Sequence, residues 1–80
     1  MTFADAQRYE LANARRKFPA LHSAHEGYAV ILEELDEFWE QVRTRDAGRD
    51  PRKMLAELVQ TAAMCQRTAE DLGLTDEINT

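Results

Sequence analysis

The chain has 80 residues, enough for one domain and no second. Fifteen Asp and Glu against ten Lys and Arg give a net charge of −5, so the basic footprint that grips duplex nucleic acid is missing. A composition of 44% hydrophobic and 31% charged residues is that of a soluble folded domain, and the absence of any run of about 18 apolar residues argues against a membrane span. The N-terminus carries neither a basic stretch nor an apolar signal core, so a cytoplasmic location is expected. Cys65, the single cysteine, closes no internal disulfide and builds no cysteine zinc site alone. With no staple, and with only about 60–65% of the extended-chain surface buried at this size, the chain is expected to self-associate.

In chain order, Thr2 and Asp5 predict the start of a first helix with Phe3, Leu11, Ala14 and Phe18 on its apolar face and Pro19 as its stop. Ser23 with Glu26 three residues on has the form of a capping box and predicts a second helix running to about Arg45. Tyr28, Ile31, Leu35, Phe38 and Val42 step by three and four along it, and Leu32 and Trp39 widen that seam. Gly48, Asp50 and Pro51 mark a loop, with the aspartate as cap and the proline at the first helical position of a third helix. Leu55, Leu58, Ala62, Cys65, Ala69 and Leu72 form its seam, and Gly73 supplies the left-handed residue that ends it. Two helices of similar length joined by a short loop run antiparallel. The expected fold is therefore all-α and a single domain over 1–80. It has three helices, a long antiparallel hairpin over about 23–72 and a loose polar tail over 75–80. The hairpin is expected to dimerise into a four-helix bundle, with pairing into a tetramer as the next step.

The helical period puts Glu34 and Glu37 on one flank of the second helix, with Val30 and Gln41, turned away from the seam. Glu57 and Gln60 take the same offset on the third helix, with Lys53 and Met64. If the hairpin closes on its seams, three carboxylates and one amide meet. Hard oxygen donors of this kind suit Mg²⁺, which binds through a few carboxylates while substrate phosphates and water complete its shell. Glutamates three or four apart also decorate solvated helix faces, so spacing leaves both readings open.

Glu33-Glu34-Leu35-Asp36-Glu37 followed by Glu57-Leu58-Val59-Gln60 resembles the split EExxE and ExxD motif of the MazG-like, all-α nucleoside triphosphate pyrophosphohydrolases. The strings His25 to Leu32 and Ala62 to Arg67 are similar to those of small, phage-type members, and the likeness covers about residues 23–72. The resemblance implies hydrolysis of a nucleoside triphosphate between its α and β phosphates with Mg²⁺, or Mn²⁺, as the cofactor. Glu34 and Glu37 then match the first metal-binding pair, and Glu57 matches the first acid of the second. Gln60 stands where the motif has Asp; it offers an oxygen without charge, so as a fourth ligand it would hold the ion less firmly. In this reading Glu33 is the general base that takes a proton from water, and Lys53 contacts a substrate phosphate. The alternative is a non-catalytic helical bundle that keeps the scaffold for binding nucleotide or protein, which Gln60 favours. A purely structural oligomerisation module is the third.

The remaining candidates have plainer explanations. Cys65 on the seam reads as a small buried thiol. Tyr28 and Trp39 read as core or interface packing. His22 and His25 need not share a face, and Arg15, Arg16 and Lys17 spread around the first helix as a solvated stretch.

Overall fold

The computed structural model describes residues 1–79. Its elements in order are α1 (Phe3–Lys17), α2 (Ala24–Val42), a 3-10 turn (Asp46–Gly48), α3 (Pro51–Asp71) and a 3-10 helix (Leu74–Asn79). The all-α fold with three helices is as the sequence predicts.

Local chemistry sets the helix ends. The Thr2 hydroxyl accepts from the Asp5 N–H and the Asp5 carboxylate accepts from the Thr2 N–H, both at 3.1 Å, a complete capping box. α1 stops at Lys17 because Phe18 is extended (φ −131°, ψ 147°), the conformation that a following proline favours. The Ser23 hydroxyl caps α2 through the Glu26 N–H at 3.1 Å, but the Glu26 carboxylate accepts from the His22 N–H at 2.9 Å, so the return bond reaches one residue further back than in a capping box.

α2 ends at Val42, short of the expected Arg45, and Arg49 explains how. Its guanidinium donates to the carbonyls of Thr44 (3.0 Å) and Val42 (2.5 Å), which a longer helix would have satisfied internally. Asp50 caps α3 through the Arg52 N–H at 2.9 Å with Pro51 in the first turn, and Gly73 ends it at φ +72°. The tail winds into the 3-10 helix and packs on α3; Thr80 lies outside the described residues.

α3 is the central element, since α1 and α2 both pack on it and, among the described residues, not on each other. Leu11, Ala14, Ala63 and Met64 form the core, with Val30 and Ile31 against it. Gly27 lets α2 come close to α3 at Thr68. Arg67 is buried at 4% exposure, donates to the Pro19 carbonyl at 2.8 Å and lies 3.7 Å from Asp71, whose other bonds are to the Leu21 N–H and to Arg15. This network ties the α1–α2 connection to the end of α3.

The apolar seams are only partly where the helices meet, a correction to the sequence reading: Ile31 packs on the core, and Phe38, Val42, Ala62, Ala69 and Leu72 are half-buried. Tyr28 is 67% exposed and Trp39 57%, Leu32, Leu35, Leu55 and Leu58 are also exposed, and so is Cys65. The physical reason is that α3 serves two neighbours. Its packed arc turns to Val59, Ala63, Met64 and Arg67, with Gly27 of α2 allowing close approach at Thr68, and Leu55 and Leu58 are left outside. Phe3 at the start of α1 and Phe18 just past its end are also exposed, with only Leu11 and Ala14 of the expected face buried.

Candidate metal centre

Glu34 and Glu37 are one helical turn apart on α2, and Glu57 lies across from them in the first half of α3. Because the helices pack on the flank beside the leucine seams, this flank carries the acids into the α2–α3 groove. One carboxylate oxygen from each of Glu34, Glu37 and Glu57 lies within 4.8 Å of the others. Glu37 is exposed and the other two are half-buried, so the group sits at the surface with its inner atoms covered.

Oε2 of Glu34 and Oε2 of Glu57 are shielded from solvent and lack a hydrogen-bond partner. Carboxylate oxygens only accept, and the donor within reach is a proton carried by one of the carboxyls themselves. Burial, then the Glu37, Glu57 and Glu33 carboxylates, push Glu34 up to about 7. Glu57 is raised for the same reasons, burial first and Glu37 second. The group therefore favours an added positive charge, which a proton or a divalent cation supplies.

Beside the group, α1 and α2 diverge above α3 and leave a cavity of about 480 Å³, within the range of small-molecule sites (about 300–1,000 Å³). Glu33, Glu34 and Gln60 line one side, Asn13 and Lys17 of α1 the other, and Val30 and Met64 add apolar surface. Thus Gln60 and Glu33 border the cavity that opens next to the three acids. Lys53 is exposed one turn before Glu57 and does not line the cavity. His22 and His25 are exposed, and neither belongs to the acidic group.

Sequence reasoning missed the part of the site that α1 builds. Asn13 and Lys17 carry no motif, and their placement follows from α1 packing on α3 alone. Arg67 was also hidden, although its i, i+4 spacing to Asp71 is the signal of a same-face pair.

Compared with known protein families, curated proteins and solved structures, the chain has no significant match to any. What stands is a small all-α, three-helix protein with an acidic cluster. Among the described residues, no helix is long and apolar enough to cross a membrane.

Proposed function

We propose that the chain is a Mg²⁺-dependent hydrolase that splits nucleoside triphosphates into a monophosphate and pyrophosphate, and that its hairpins pair into a dimeric four-helix bundle. One observation carries the chemistry: two shielded carboxylate oxygens without partners, from Glu34 and Glu57, beside Glu37 and at the edge of a cavity. Orphaned acceptors in that number are costly unless a cation meets them.

The donor set is all oxygen, which suits Mg²⁺ or Mn²⁺. Glu34, Glu37 and Glu57 would hold the ion, with Gln60 as an uncharged fourth donor, and the ion would neutralise charge on the substrate's phosphate oxygens. Glu33, on the cavity wall, accepts the proton of the attacking water. The new bond forms from that water oxygen to the α phosphorus, the bond from α phosphorus to the bridging oxygen breaks, and pyrophosphate leaves. Lys17, from α1, faces the same cavity and supplies positive charge for phosphate. Lys53, exposed in the first turn of α3, serves the substrate only from outside the cavity.

A second reading rests on Gln60. An amide in place of a fourth carboxylate lowers the charge on the site, which suits nucleotide binding without turnover.

The test is pyrophosphate release from a panel of ribo- and deoxyribonucleoside triphosphates with Mg²⁺, using Glu34→Gln as control. Release that disappears in the variant is expected. No release with magnesium-dependent nucleotide binding retained gives the second reading, and release unchanged in Glu34→Gln defeats the assignment of the site.

A further inference from the structure

The open side of the hairpin is an apolar surface. Tyr28, Leu32, Leu35 and Trp39 on α2, with Leu55 and Leu58 on α3, are 37–67% exposed. With full side-chain areas of about 150–250 Å², they leave on the order of 600 Å² uncovered. A monomer's largest patch is about 300–600 Å², and a small specific interface takes about 600–1,000 Å² from each partner. The core beneath is thin: among the described residues no large side chain is fully buried, and two of the six buried hydrophobics are alanines. A chain so poorly filled inside and so apolar outside needs this face covered.

A second copy fits the face by its own pattern. Tyr28, Leu32, Leu35, Phe38 and Val42 map onto apolar positions of the same helix when α2 is reversed about Leu35. Two copies of α2 crossing antiparallel at Leu35 therefore set apolar against apolar. Charge selects the same arrangement. The hairpin tip carries Arg43, Arg45, Arg49, Arg52 and Lys53 against two acids over residues 43–53, with Arg43 also paired to Glu40. The opposite end of α3 and the 3-10 helix carry Glu70, Asp71, Asp76 and Glu77, partly offset by Arg15 and Arg67. Tips laid side by side would bring like charges together, whereas tips at opposite ends set each basic tip toward an acidic end.

We propose that a second copy of the chain covers the Tyr28–Leu35–Trp39 face with the two hairpin tips at opposite ends of the dimer. This rests on the hairpin pairing proposed above and not on the metal chemistry. Glu34 and Glu37 lie on the flank turned away from Leu35, so each acidic cluster stays outside the interface and is built from one chain.

Pulsed electron-spin distance measurement tests it, with a spin label at Ala47→Cys in the tip on a Cys65→Ser background. α2 has 19 residues and is about 28 Å long, so tips at opposite ends predict an intermolecular distance of about 30 Å or more. A distance below about 20 Å means tips together and overturns the orientation. A monomer by sedimentation, with no intermolecular signal, overturns the pairing altogether. Leu35→Glu with Trp39→Glu is expected to give a monomer that keeps its helical circular dichroism; a dimer that survives both charges places the contact elsewhere and also overturns the proposal. Manganese binding on the same samples reports the acidic cluster separately, so failure of one claim is distinguishable from failure of the other.

Discussion

Gly27 of α2 lies against Thr68 of α3 so closely that a Cβ at Gly27 would overlap the Thr68 side chain. The contact fixes how near the two helices come at the open end of the hairpin, away from the loop, and so helps set the groove that receives Glu34, Glu37 and Glu57.

Gly27→Ala should therefore destabilise the chain by about 1–3 kcal/mol, the usual range for overpacking. Thr68→Ala in the same chain should recover most of the loss, because it removes both the methyl and the hydroxyl that the new Cβ meets. Urea unfolding of the two single variants and the double variant measures this.

The Glu34 proton makes stability depend on pH. In the folded chain Glu34 titrates at about 7, against 4.5 for an ordinary glutamate. Between those values the folded state holds more protons than the unfolded one, so stability falls as pH rises through that window and is level above it. The lowered carboxyls of Asp5, Glu70 and Asp71 act in the opposite direction below about pH 4.5, outside the window. After discounting for partial exposure, the metal-free chain should lose about 1 kcal/mol between about pH 5 and pH 8, or about 4–8 °C in Tm. Saturating Mg²⁺ should abolish that loss, as thermal melts at the two pH values with and without the ion would show.

Arg67, next to Thr68, anchors the same end of the helices. Replacing it with Ala removes its bond to the Pro19 carbonyl and its partnership with Asp71, and should cost about 2–3 kcal/mol. Because that network holds the α1–α2 connection against α3, amide hydrogen exchange should rise first at Leu21, whose N–H bonds Asp71 at 3.0 Å.

Much of the fold was legible because helix ends are local. Thr2 with Asp5, Ser23, Asp50 with Pro51, and Gly73 each act through bonds or backbone angles within a few residues. The acidic flank was legible too, since helical periodicity alone puts Glu34 with Glu37. The choice of packed face was not. α2 and α3 each carry two surfaces able to pack, the leucine seam and the smaller Gly27, Ala63 and Met64 arc, and the choice between them depends on where α1 docks. The cavity was invisible for the same reason, because it exists only where α1 and α2 fail to touch.

Manganese binding followed by electron paramagnetic resonance tests the acidic centre most directly, since bound Mn²⁺ loses the sharp signal of the free ion. One ion per chain, lost in both Glu34→Gln and Glu57→Gln and displaced by Mg²⁺, is the predicted result. No binding at millimolar Mn²⁺, or binding that both variants leave unchanged, would contradict the claim that Glu34, Glu37 and Glu57 together hold a divalent cation.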